Sequence, residues 1–259
     1  MDLEYEEIWK KNKESILFLH GTGLGSWIWK NQCLKLTDFH CVVIDLPGHG
    51  KNQANPFQLQ TASEKILELI KEHGKTTHVV GLSLGGQIAL EMLNNSPEVL
   101  GNVIITGVPI RAPDKTDNFE KLVEYVLQEY ASQKNTDFLI KAYIRNYNIS
   151  KDYFELLKSS TTTISPEEIK RIFKANMLFE IPPHLNKVDN PVLVLGGEKE
   201  YGIIKSSIKS LVKTIPHSKG YIVPEMVHMW NLTSPDYFNL IIKNWIAARK
   251  LPEDLIAVE

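Results

Sequence analysis

Two kinds of apolar pattern alternate along this chain. Ile16-Leu17-Phe18-Leu19, Cys41 to Asp45, Val79 to Leu82, Asn102 to Thr106 and Val192 to Leu195 are short and almost continuously apolar. Runs of that length read as strands buried on both faces. Tyr221 to Val223 is a weaker sixth strand, and Leu3 to Trp9 reads as an edge strand ahead of a polar turn at Lys10 to Glu14. Helical periodicity falls near Ser26 to Thr37, Ala62 to His73, Gly86 to Asn95, Ile204 to Thr214 and Pro235 to Ala248. The last of these carries Phe238, Ile241, Ile242 and Trp245 on one stripe, a core-facing surface. Strands alternating with helices predict an α/β fold with a central, mostly parallel sheet flanked by helices.

Between Pro109 and His184 the rhythm changes, and no buried strand is legible there. The segment reads as helices over Phe119 to Ala131, Thr136 to Asn146 and Ser165 to Met177, with Ser165-Pro166-Glu167-Glu168 as a helix start. Alternation resumes at Pro191. The expected organisation is a single domain over residues 1–259 with a helical cap inserted at about residues 110–185.

One turn in this pattern suits chemistry. Thr77-His78-Val79-Val80 runs into Gly81-Leu82-Ser83-Leu84-Gly85, and a helix follows. A serine on so sharp a strand-to-helix turn takes a strained backbone, and its hydroxyl stands above a helix N-terminus that favours an anion. Gly81 and Gly85 sit where a Cβ would collide across the turn.

Composition narrows the setting. At 259 residues and 43% apolar, the chain can bury a full core. Its 29 basic and 31 acidic residues are balanced, with no run of Lys and Arg, so neither a nucleic acid nor a membrane surface is the expected partner. Cys33 and Cys41 lack metal-ligand spacing. Cys41 reads as a buried thiol, and a single bridge between the two stays open. The acidic start Met1-Asp2-Leu3-Glu4 lacks the zones of a signal peptide, and no apolar run approaches the ~20 residues of a membrane span. A cytoplasmic protein without cofactor or metal is expected.

A serine nucleophile needs a base, an acid that orients the base, and donors for the oxyanion. His228 lies on a loop after the last strand of the alternation and before the last long helix. His20, His40, His49, His73, His78, His184 and His217 have no comparable surroundings and read as surface or core histidines. Glu198 and Glu200 follow the strand Val192 to Leu195, and one of them can accept from His228 Nδ1. The backbone N–H of Leu84, next to the serine, is one oxyanion donor. His20-Gly21-Thr22-Gly23 ends a strand expected beside the nucleophile strand, which makes the Thr22 N–H the second.

Leu19-His20-Gly21-Thr22-Gly23 with Trp27 and Trp29, Asp45-Leu46-Pro47-Gly48-His49-Gly50, the elbow from Gly81 to Gly86, Gly197-Glu198-Lys199-Glu200 and Val227-His228 occur in that order. On these motifs the chain resembles the α/β-hydrolase fold superfamily, in its capped, esterase-like branch, over residues 14–248. The resemblance implies Ser83 as nucleophile, His228 as general base and Glu200 as the acid, where the family usually has Asp, with Glu198 in reserve. It implies that His20, His49 and Asp45 brace loops, and it leaves Asp114, past two prolines, as a lower-ranked rival acid. The activity implied is cleavage of a small-molecule carboxylic ester with a small to medium acyl group, through an acyl-enzyme on Ser83. Thioester, lactone or carbon–carbon hydrolysis and lyase chemistry would use the same residues, and a slow or non-catalytic binding role is the alternative class. The cap carries Leu122, Tyr125, Val126, Leu127, Tyr130, Phe138, Tyr143 and Phe173 among its apolar residues. Most of these serve to bury the cap on the sheet domain, and an unspecified few give the pocket an apolar, partly aromatic lining.

Overall fold

A computed structural model of the protein describes residues 3–74, 76–111 and 136–259. The predicted helix from Phe119 to Ala131, the cap residues Leu122, Tyr125, Val126, Leu127 and Tyr130, and the rival acid Asp114 lie outside the described residues. Within them, eight strands form one sheet: β1 (Tyr5–Ile8), β2 (Ser15–Leu19), β3 (His40–Ile44), β4 (Thr77–Leu82), β5 (Leu100–Thr106), β6 (Val192–Gly197), β7 (Ser218–Val223) and β8 (Ile256–Val258). Their spatial order is β1-β3-β2-β4-β5-β6-β7-β8. The strands from β2 to β7 run parallel, and only the edge strands β1 and β8 pair antiparallel.

The continuous apolar runs are explained by what covers the sheet. Successive side chains point to opposite faces, and each face has its own core. Leu17, Leu19, Val79, Val103, Ile105, Val192 and Val194 belong to one cluster, with α2 (Leu59–His73), α3 (Leu84–Asn95) and α7 (Gly202–Thr214) packed on it. Ile16, Phe18, Val80, Leu82, Ile104, Leu193 and Leu195 belong to the other, under α1 (Lys30–Lys35) and α8 (Pro235–Ile246). The stripe Phe238, Ile241 and Ile242 is buried on this second face as its spacing predicts, while Trp245 packs at its margin.

Between β5 and β6 the described chain forms α4 (Thr136–Asn146), α5 (Phe154–Thr162) and α6 (Pro166–Met177). The Ser165 hydroxyl accepts from Glu168 N and caps α6, with Pro166 in its first turn. Several side-chain contacts hold these helices to the body. Trp27 Nε1 donates to Ser160 Oγ at 2.8 Å, and the Phe57 amide donates to the Glu168 carboxylate. Gln87 on α3 donates to Pro109 O at 2.9 Å and Asn176 O at 2.8 Å, and its Oε1 accepts from Asn176 Nδ2. Both amides are buried.

The bridge left open between Cys33 and Cys41 is absent: both are buried free thiols. A hydrogen bond with Cys41, together with burial, pushes the Cys33 thiol well above its ordinary pKa. Among the described elements, α5, the one-turn helix Trp230–Thr233 and the edge strand β8, whose three residues are mostly exposed, have no counterpart in the sequence reading. Among the described residues no helix is long and apolar enough to cross a membrane.

Candidate active site

The elbow has the backbone its sequence demands. Ser83 directly follows β4 at φ 53° and ψ −113°, and α3 starts at the next residue. A Cβ on Gly81 would lie 2.6 Å from the Gly85 carbonyl carbon, and one on Gly85 would lie 2.2 Å from Leu19 O. Neither distance is tolerable against backbone, so both positions need glycine. The Ser83 amide donates to Thr106 O at 2.9 Å, which ties the turn to the end of β5. The Ser83 side chain is left at the floor of a cavity with only 8% of the residue exposed.

His228 reaches that cavity from the loop after β7. The chain first turns at Glu225, with φ 61°, and the Glu225 amide donates to Glu198 Oε2 at 3.0 Å. Lys199 N donates to Met226 O at 2.9 Å, which binds the loops after β6 and β7 together. His228 Nδ1 then meets Glu200 Oε2 at 2.7 Å. The Glu200 side chain is 2% exposed and that of His228 is 22% exposed. Gly107, at φ +63°, lets the chain after β5 pass close by, because a Cβ there would lie 2.6 Å from His228 Cε1.

The two glutamates therefore part company. Glu198 is spent on the turn that carries His228, and Glu200 is on the imidazole. The family's usual Asp is one methylene shorter than Glu200, and the structure shows how the difference is absorbed. Glu200 Oε1 accepts from the amide of Gly197 at 2.8 Å, folding the side chain back toward its own strand while Oε2 takes the histidine. With Nδ1–H held by the carboxylate, Nε2 is the nitrogen free to exchange a proton. Ser83, Glu200 and His228 line one cavity of about 540 Å³ with Gly107, Tyr147 and Tyr201. No hydrogen bond joins Ser83 Oγ to His228. A larger cavity of about 830 Å³ lies elsewhere, bordered by Lys219 and Trp245, and includes none of these residues.

The loop after β2 passes beside the elbow. A Cβ on Gly21 would lie 3.5 Å from Ser83 Cβ. The amides of Thr22 and Leu84 donate to no described residue, which leaves both N–H groups available to a ligand. Three side chains brace this loop. His20 Nε2 accepts from Leu46 N at 2.9 Å, and His49 Nε2 accepts from Gly23 N at 3.1 Å. Asp45 accepts from Ser26 N at 2.6 Å and Lys51 N at 2.9 Å. Burial lowers the pKa of His20; burial, with the adjacent His20 ring opposing a second proton, takes His49 down to about 3. Both rings are thereby neutral acceptors at their Nε2 atoms. Burial alone would raise the Asp45 carboxyl, but the Lys51 and Ser26 amides outweigh it and hold the pKa below its ordinary value.

Sequence reasoning expected a partly aromatic lining and named Tyr143 in the cap, but it named neither Tyr147 nor Tyr201, which line the cavity with Ser83. The Tyr147 ring lies 6.2 Å from that of His228, centroid to centroid, and burial, then the neighbouring Tyr201 and Glu200, raises the phenol pKa. Nothing in the spacing of Tyr143 and Tyr147 separates a wall residue from a core residue. Gln87 was equally silent, since a polar residue in an elbow helix reads as its solvent face.

A nucleophile elbow facing a carboxylate-bound histidine, on a sheet of this order, defines a class of fold. The chain belongs to the alpha/beta hydrolase family, whose pattern matches residues 16–239. It is 27% identical to a pimeloyl-(acyl-carrier protein) methyl ester esterase of Wigglesworthia glossinidia brevipalpis over 255 residues, covering 90% of this chain and 93% of that one. It is 21% identical to a 2-hydroxy-6-oxononadienedioate/2-hydroxy-6-oxononatrienedioate hydrolase of Escherichia coli, covering 90% and 87%. Among solved structures, an esterase from Exiguobacterium antarcticum superposes with a TM-score of 0.81 at 18% identity, covering 95% of each chain. At that identity the likeness shows the fold.

Proposed function

We propose that this protein hydrolyses carboxylic esters of small to medium acyl groups through an acyl-enzyme on Ser83. The observation that carries the reading is the Glu200–His228 pair at 2.7 Å in the same cavity as a serine held at positive φ. Ser83 Oγ attacks the carbonyl carbon while His228 Nε2 takes its proton. Glu200 holds the tautomer and stabilises the imidazolium. The Thr22 and Leu84 amides receive the developing oxyanion, and each such donor is worth on the order of 10²–10³ in rate. His228 returns the proton to the leaving alkoxide, and water then repeats the sequence on the acyl-enzyme. Ester cleavage is also the activity named for the Wigglesworthia relative. The two buried thiols fit a reducing, cytoplasmic location.

The test is turnover of p-nitrophenyl butyrate, abolished in Ser83→Ala, together with labelling of Ser83 by a fluorophosphonate. No turnover across a panel of esters and thioesters, with no labelling of Ser83, would sink the proposal in favour of a binding role.

A further inference from the structure

Ester cleavage at Ser83 needs His228 Nε2 within hydrogen-bond reach of the serine hydroxyl, so the loop after β7 must be placed accurately against the elbow. Other anchors of that loop lead elsewhere. Glu200 and the Lys199 amide hold His228 and Met226 to the loop after β6. Asn231 Nδ2 donates to Ile28 O at 3.1 Å. The link to the elbow runs through Thr106, the last residue of β5. Its carbonyl accepts from the Ser83 amide at 2.9 Å. Its hydroxyl accepts from Trp230 Nε1 at 3.0 Å, and Trp230 stands two residues past His228.

A hydroxyl is unexpected in this row. Across the sheet Thr106 lies between Leu82 on β4 and Leu195 on β6, both in the apolar core of the second face. Ile104, two residues earlier on the same side of the strand, belongs to that core as well. Valine has nearly the shape of threonine and would fill the position without a polar atom. What the hydroxyl adds is an acceptor for the indole N–H, which burial would otherwise leave unpaired. Thr106 and Trp230 are both buried, and the Trp230 ring packs on Phe238 with centroids 4.4 Å apart. Packing and the hydrogen bond together fix the ring, and through it the backbone next to His228. Just past Thr106, Gly107 N donates to Leu195 O at 3.0 Å, and this is the glycine that passes the imidazole. One strand end therefore meets the nucleophile, the loop of the base and the ring of the base.

Resting on the ester-hydrolase reading, we propose that Thr106 is a positioning residue. Its carbonyl holds the elbow, its hydroxyl holds Trp230, and the two together set where His228 stands over Ser83. Thr106 touches no reacting atom. A misplacement of order 1 Å, caused far from the chemistry, can cost about 10²-fold in rate. Acylation and deacylation both use His228, so the loss falls on kcat and leaves KM in place.

Three variants test this. Thr106→Val removes the hydroxyl and keeps the strand and the carbonyl that holds Ser83. Its kcat for p-nitrophenyl butyrate should fall at least tenfold, counted per Ser83 labelled to completion by a fluorophosphonate, with KM within about twofold of wild type. Thr106→Ser restores the acceptor and should bring kcat back to within about threefold. Trp230→Phe removes the donor. Combined with Thr106→Val it should cost no more than the larger single loss, because the two changes break one bond. A Thr106→Val protein that unfolds at lower urea yet keeps the wild-type kcat per labelled serine overturns the proposal, since the hydroxyl then serves stability alone. A kcat loss that serine does not recover overturns it too, as do single losses that multiply in the double variant. These failures are distinct from failure of the hydrolase reading, in which the wild-type protein turns over no ester and Ser83 takes no label.

Discussion

Ser83 should be a thermodynamic liability, and replacing it by glycine should measure how large a one. Its φ of 53° and ψ of −113° lie in a region where a Cβ is disfavoured. Holding a residue there costs of order 1–3 kcal/mol, sustained only because the surroundings over-determine it. Here the surroundings are the Thr106 carbonyl on one side and the tight approaches of Gly81 and Gly85 on the other. The informative comparison is Ser83→Gly against Ser83→Ala, since both lack the hydroxyl and neither turns over substrate. Alanine keeps the Cβ and its strain. Glycine loses both, but frees the unfolded chain, which offsets about 0.4–1 kcal/mol. The glycine variant should therefore be more stable than the alanine variant by about 1 kcal/mol, or ~2–4 °C in Tm for a domain of this size. Urea unfolding at 25 °C, read at equal m-values, with scanning calorimetry as a second measure, resolves a difference of that size. A glycine variant no more stable than the alanine variant would refute the claim that the elbow stores strain.

Glu200→Gln should lower kcat by ~10³-fold or more, because an amide can hold the imidazole in the wrong tautomer, whereas Glu198→Gln should stay within a few-fold; the reverse order would reassign the acid. Thr22→Val should leave kcat unchanged, since the backbone N–H is the donor. Its stability should hold or rise, because Thr22 Oγ1 is buried with no hydrogen-bond partner among the described residues, and a large fall in kcat would place the side chain in the reaction. His49 links stability to acid. Its folded pKa of about 3 lies below the ordinary 6.5, so the unfolded chain takes up the proton first and stability is lost as pH falls from 6.5 toward 3. Between pH 8 and pH 5 the loss from this residue is about 2 kcal/mol, and denaturant titrations of His49→Gln over that range should show a correspondingly shallower slope.

The parts of the fold that sequence exposes are those whose burial is dictated by neighbours on both sides. The central stretches of strands β2 to β6 are apolar on both sides of the pleat because helices cover both faces, and the runs are visible for that reason. β8 is not visible, because its three half-exposed residues gain their conformation only by pairing with Gly220 to Ile222. α5 is hidden for another reason. Its end is a run of serines and threonines with low helix propensity. In the structure Thr161, Thr162 and Thr163 return their hydroxyls to the carbonyls of Leu157, Lys158 and Ser159. The same limit holds at the site. Spacing brought Ser83, His228 and a pair of glutamates to one place, but it could not choose between two acids separated by a single residue. That choice depends on which amides take up the spare oxygens.

Gln87 stands one turn beyond Ser83 and is hydrogen-bonded to Asn176 at the far end of α6. Pulling α6 away from the sheet would deprive Gln87 Oε1, Asn176 Nδ2 and the Asn176 carbonyl of these partners, at roughly 1–3 kcal/mol for each group left unsatisfied. Mechanically, α6 thus moves with the nucleophile helix, and any breathing of the inserted helices must hinge on it. In hydrogen exchange, the amides around Asn176 should be as slow as those of α3, and slower than those of α4.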